Sequence, residues 1–104
     1  MSITGDPQGP PTLMGESVGD ICAGMFSAWG IVSALYARER TGRGRRIDVA
    51  MFDSLFAMLP TALTQYLYAG VEPRRVGNRH PLSSPFGVYA ARDGHYVLAA
   101  ANDK

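Results

Sequence analysis

Few side chains in this 104-residue chain can do chemistry, and spacing decides what each could do. Asp20 is the carboxylate of greatest interest. It stands three positions after Ser17 at the head of an apolar run, where a helix dipole favours the ionised form and first-turn N–H groups lie unpaired nearby. A carboxylate so placed can serve as a nucleophile, yet Ser17-Val18-Gly19-Asp20 also reads as a capping box, and spacing alone leaves both readings open. Cys22 falls on a different face of the same helix, far in sequence from either histidine, and reads as a small buried hydrophobe. His80 sits in a proline-rich stretch and His95 beside a turn; no metal-ligand spacing links them, so ordinary polar roles account for both. Arg38, Arg40, Arg43, Arg45 and Arg46, with Gly42 and Gly44, would suit phosphate oxygens. The segment lacks the lysine and spacing of a phosphate loop, and no aromatic lies between Thr41 and Arg46 for base stacking, so it reads as a solvated turn after a helix. Asp48 and Asp53 form no local carboxylate pair, and Met25, Met51 and Met58 read as core filler.

The elements that must position these groups follow from periodicity. Residues 1–15 carry Gly5, Pro7, Gly9, Pro10, Pro11 and Gly15, an extended lead-in. A helix is expected from about Val18 to Thr41: Ile21, Met25, Trp29, Val32 and Tyr36 keep helical spacing and define one long buried face. Arg38 and Arg40 suit its negative end, and Gly42 can take the left-handed position that stops it. Gly24, Ala28 and Gly30 leave room for a neighbouring backbone. Arg46–Ala50 alternates as a short strand, and Met51–Tyr68 returns to helical spacing with a kink at Pro60. Residues 70–85 have linker composition and mark a domain boundary. Phe86–Ala91 and His95–Ala100 flank Arg92-Asp93-Gly94, the signal for a hairpin closed by a two-residue Asp-Gly turn.

Composition narrows the classes. Apolar residues make up 46% and charged residues 18%, a globular composition, and a net charge of +1 offers no global field for nucleic acid or an anionic membrane. One cysteine excludes an internal disulfide framework and suits a reducing cytosol. The start has no signal-peptide pattern. Ile21–Ala37 is uncharged, at the lower edge of a membrane span, but its glycines and serines favour a buried helix of a soluble, cytoplasmic protein. The order helix, strand, helix, hairpin is an α/β pattern; one strand cannot make a sheet, so the chain reads as a slice of something larger.

In order and wording these segments resemble the class III CoA-transferases, of the formyl-CoA transferase and carnitine CoA-transferase type. The matching stretches are Thr4-Gly5-Asp6 with Gly9-Pro10-Pro11, Gly19-Asp20 with Ala23-Gly24, and Ala34-Leu35 through Arg38. Arg40-Thr41-Gly42-Arg43-Gly44, Ile47-Asp48-Val49, Met51 and Asp53 continue the series. Gly77-Asn78-Arg79-His80-Pro81, Pro85-Phe86-Gly87 and Asp93-Gly94-His95-Tyr96 complete it. The resemblance implies an internal fragment: residues 1–69 belong to a Rossmann-like large domain, 70–85 to a linker, and 86–104 to the start of a smaller domain. It implies Asp20 as the nucleophile toward an acyl-CoA thioester, forming a mixed anhydride and then an aspartyl-CoA thioester that passes CoA to an acceptor acid. Asn78, His80 and Phe86 border the substrate by their motif positions. Coenzyme A enters as part of the substrate, with no permanently bound cofactor and no metal. The partners implied are acyl-CoA and a carboxylic acid, within an interlocked homodimer that this segment alone would not form; the segment alone is expected to be inactive. Some formyl-CoA transferase-type members have a glycine-rich loop over the site, whereas residues 78–86 contain no glycine, a departure that points away from an oxalate- or formate-type substrate. Two other readings are a 2-methylacyl-CoA racemase, with Asp20 shuttling a proton, and a non-catalytic interaction module docking through apolar helix faces.

Overall fold

A computed structural model describes residues 2–94 and 96–100. His95 and residues 101–104 therefore lie outside the described residues. Three helices precede a hairpin: α1 (Val18–Thr41), α2 (Met51–Phe56), α3 (Pro60–Ala69), β1 (Phe86–Ala90) and β2 (Tyr96–Ala100). The chain forms two compact units, one of Met14–Val71 and one of Met1–Leu13 with Glu72–Lys104.

In the helical unit, α1 has the bounds its periodicity predicts and stops at Gly42, whose φ of 68° turns its N–H back to the Arg38 carbonyl at 2.7 Å. Its start differs from expectation. The Ser17 side chain makes no capping bond; its backbone, at φ −76° and ψ 63°, departs from the extended geometry of a cap. A tight turn accounts for this: the Val18 N–H bonds the Glu16 carbonyl at 2.9 Å, and only the Ser17 carbonyl enters the helix, accepting from Ile21 N–H at 3.0 Å.

The expected strand at Arg46–Ala50 is an extended segment with no ladder partner among the described residues, and without a neighbour's hydrogen bonds a period-two pattern makes no strand. It is held by α1 instead. A Cβ on Gly30 would stand 3.1 Å from Ile47 Cγ2, and one on Gly19 would stand 3.4 Å from the Met51 sulfur, so two glycines on one face of α1 seat the 47–51 segment. Gly24, expected to receive a backbone, has no atom within 4 Å of its would-be Cβ.

The single kinked helix expected over 51–68 is two helices. Pro60 has no N–H to give Phe56, so the chain tightens through Met58 N–H to Leu55 O and Leu59 N–H to Phe56 O, both 3.1 Å, and restarts with Pro60 in the first turn of α3. Burial departs from expectation most. Cys22 and Ser54 are the buried residues of this unit, while Met25, Trp29 and Val32 remain 53%, 61% and 66% exposed. The periodic face of α1 exists, but α2 and the 47–51 segment cover only the strip through Gly19, Cys22 and Gly30. By length and composition α1 could cross a membrane, a measure that core helices of soluble proteins also meet.

The other unit is built on the β1–β2 hairpin, antiparallel with Phe86 opposite Ala100 and Ala90 opposite Tyr96. The ladder closes at Ala90 opposite Tyr96, with Ala91 already outside β1, so the turn is not the two-residue Asp-Gly closure expected. Its tight part is an Ala91–Gly94 turn closed at 3.1 Å, with Gly94 at φ 85°. Residues 2–13 are folded rather than simply extended: Asp6 caps a turn by accepting from Gln8 and Gly9 N–H, and Thr12 N–H bonds Thr4 O at 3.0 Å. Arg75 fastens this segment, donating from Nε to Asp6 O at 3.1 Å and from Nη2 to Gly9 O at 2.8 Å.

Candidate functional site

Asp20 occupies the first turn of α1, exposed to solvent. No hydrogen bond or ion pair engages its carboxylate among the described residues, and the N–H groups of Gly19 and Asp20 find no acceptor there either. The capping role that spacing left open is thus not taken up. What remains is an accessible carboxylate beside unpaired donors at the positive end of a 24-residue helix. Met51, lying against Gly19, supplies an apolar wall next to it.

The other groups singled out by sequence fall into local roles. Cys22 is buried and uses its thiol as an apolar surface. Arg38 pairs with Glu39 at 3.3 Å, Arg46 with Asp48 at 2.9 Å, and Arg40 donates to the Tyr36 hydroxyl at 2.9 Å, so three of the five clustered arginines are engaged along the surface. Asp53 stands in the first turn of α2. Among the described residues no group of three or more His, Cys, Asp and Glu side chains could hold a metal ion.

In the hairpin unit the structure brings Asn78, His80 and Phe86 together. An isolated bridge joins Arg79 to Gly87, and it is framed by His80 N–H to Phe86 O at 2.7 Å and Val88 N–H to Asn78 O at 2.8 Å. This pairing stacks the His80 and Phe86 rings, with centroids 4.8 Å apart and planes 8° from parallel. His80 Nδ1 accepts from the N–H groups of Leu82, at 3.2 Å, and Ser83, at 3.0 Å. Gly87 is what allows the approach: a Cβ there would lie 2.7 Å from the Asn78 carbonyl oxygen and 3.1 Å from Arg79 Cα. A cavity of about 280 Å³ opens beside these residues, and a second of about 490 Å³ lies between Asp6–Pro7 and residues 75–79. Sequence reasoning missed Arg75, and it named Arg79 and Gly87 only as motif positions, without a role. The arginine-rich composition of 70–85 was the available signal, but contacts of Arg75 that reach back 66 and 69 residues leave no periodic trace.

The profile of CoA-transferase family III matches residues 1–104. The chain is 51% identical to an acetyl-CoA:oxalate CoA-transferase of Acetobacter aceti, over 99% of the chain and 27% of that protein. It is 44% identical to a succinyl-CoA:mesaconate CoA-transferase of Haloarcula hispanica and 43% identical to a succinate–glutarate CoA-transferase of Agrobacterium fabrum, each over 99% of the chain and 26% of the relative. The chain therefore spans about a quarter of the length of these relatives.

Proposed function

Because the chain belongs to CoA-transferase family III, we propose that it contributes the nucleophile, Asp20, to an enzyme that moves CoA from an acyl-CoA thioester to a free carboxylic acid. The observation that carries this reading is the state of the Asp20 carboxylate: accessible, at a helix N-terminus, and claimed by no capping or ion-pair role. A carboxylate is a weak nucleophile in water, so the site must hold it in line with the thioester carbonyl and aim N–H donors at the oxyanion. Gly19 and Asp20 have such N–H groups unpaired.

In this scheme an Asp20 oxygen attacks the thioester carbon and the C–S bond breaks, leaving a mixed anhydride and CoA thiolate. The thiolate then attacks the Asp20 side-chain carbon, releasing the first acid and forming an aspartyl-CoA thioester. The acceptor carboxylate attacks the carbonyl carbon of that thioester and the C–S bond breaks, giving a second anhydride and releasing CoA thiolate. Thiolate attack on the acceptor's acyl carbon yields the new acyl-CoA and restores the Asp20 carboxylate. Coenzyme A is thus substrate rather than resident cofactor. Asn78, His80 and Phe86 border the acid. The relatives named above carry dicarboxylic acids in their names, which supports a small dicarboxylate as one of the two acids. A homodimeric cytoplasmic enzyme, with the exposed face of α1 covered in the whole protein and residues 1–69 within a Rossmann-like domain, completes the reading.

Hydroxylamine trapping tests it. Full-length protein incubated with acyl-CoA and hydroxylamine should yield a hydroxamate on Asp20, and Asp20→Ala should lower kcat by about a thousandfold or more, the range seen when a covalent nucleophile is removed. Undiminished turnover in that variant, or exchange of an α-proton with solvent without any adduct, would overturn the proposal.

A further inference from the structure

The His80 ring is held in one orientation by its own loop. Two backbone N–H groups, of Leu82 and Ser83, converge on Nδ1, and Phe86 stacks on the ring face. Turning the ring by half a revolution would set a C–H against both N–H groups, so the contact pattern itself identifies Nδ1 as the acceptor. The ring proton then sits on Nε2, which has no partner among the described residues, and His80 lines the 280 Å³ cavity together with Asn78, Arg79 and Phe86. Arg79 also lines this cavity; its guanidinium lies over the Tyr89 ring, 6.0 Å from the centroid, and pairs with no carboxylate among the described residues. A directed N–H at a small cavity, with a nearby cation unpaired among the described residues, is a donor set for a carboxylate.

We infer that His80 is a specificity-determining residue, locked by Leu82 and Ser83 as a fixed Nε2–H donor to a carboxylate oxygen of the acid substrate, with Arg79 supplying the opposing charge. The inference rests on the function proposed above, since it takes the cavity as the place of the acid. It differs from a merely structural role for His80 in requiring the outer nitrogen, not only the inner one.

Two substitutions separate the nitrogens. In His80→Asn the amide oxygen can still accept from Leu82 and Ser83, but nothing reaches the Nε2 position. In His80→Gln the amide nitrogen reaches the Nε2 position and can donate. Oxalate and succinate are titrated calorimetrically into the full-length wild-type protein and both variants. A hydrogen bond to a charged group is worth about 10- to 100-fold in affinity. His80→Asn should weaken binding of at least one acid by that factor, while His80→Gln stays within about threefold of wild type. The nitrogen-15 spectrum of labelled histidine should show His80 protonated at Nε2. Wild-type affinity in His80→Asn, a proton on Nδ1, or failure of both acids to bind the wild-type protein would overturn the inference. Hydroxylamine trapping at Asp20 in His80→Asn keeps the two claims apart: an adduct with unchanged acid binding refutes only the role of His80, whereas the absence of any adduct in the wild type refutes the broader reading.

Discussion

Replacing Gly87 by Ala should loosen the hairpin unit at the point where it forms the substrate-bordering cluster. The added methyl carbon would stand 2.7 Å from the Asn78 carbonyl oxygen and 3.1 Å from Arg79 Cα, closer than carbon tolerates, and both neighbours are backbone that cannot rotate away. Relief requires β1 and residues 78–79 to separate by about half an ångström, an overpacking cost of about 1–3 kcal/mol. The bonds flanking Gly87, His80 N–H to Phe86 O and Val88 N–H to Asn78 O, would lengthen with it, at about 1 kcal/mol each. Alanine returns about 0.5–1 kcal/mol through its lower backbone entropy in a strand. The net is about 2–4.5 kcal/mol, or roughly 30- to 2,000-fold faster hydrogen exchange at the two amides if they open locally. Exchange measured on the full-length protein checks this, with Gly24→Ala as the control, since its methyl would meet no atom within 4 Å. Unchanged exchange at His80 and Val88 would refute the close approach on which the whole cluster depends.

Other outcomes follow from the same structure. Ser17→Ala should change stability by less than about 0.5 kcal/mol by chemical denaturation, against the 0.5–2 kcal/mol typical of a working cap, because the Ser17 hydroxyl makes no capping bond. The 104-residue chain by itself should bind a hydrophobic dye and associate at micromolar concentration, with Trp29 readily quenched by iodide at dilutions below association, because Met25, Trp29 and Val32 leave a continuous apolar face open. A monodisperse species with a protected tryptophan would contradict that exposure.

Where signals were local, the sequence was legible. Apolar spacing and Gly42 bound α1 because helix termination depends on residues within one turn, and Pro60 marked the place of the interruption, though as a kink rather than the break it is, because a missing N–H acts on the chain four residues away. The failures share a cause in partners distant along the chain or lying beside it. Alternation at Arg46–Ala50 could not disclose that no strand would pair with it, and the helical face through Met25 and Trp29 could not disclose what covers it. Ser17 had a capping composition, but the Glu16–Val18 turn overrode it. The placement of Asp20 in the first turn was readable from spacing; its freedom from a capping role needed the structure, and its identification as a nucleophile rested on resemblance to a family. His80 and Phe86 were nominated by motif position alone. Their stacking, and the convergence of two N–H groups on Nδ1, arise from a bridge between Arg79 and Gly87 that no periodicity announces.

The exchange scheme makes a demand on oxygen atoms that no proton-shuttling role for Asp20 shares. Each cycle should leave one oxygen of the acceptor acid in the Asp20 side chain, because thiolate attack in the last step cleaves the anhydride on the acceptor's side. Mass spectrometry of the peptide containing Asp20, after turnover of the full-length protein with acceptor acid labelled with oxygen-18, measures this directly. Incorporation of one heavy oxygen at Asp20 in a single turnover, rising to at most two over many, is the predicted result; an unlabelled Asp20 after many turnovers would contradict the account.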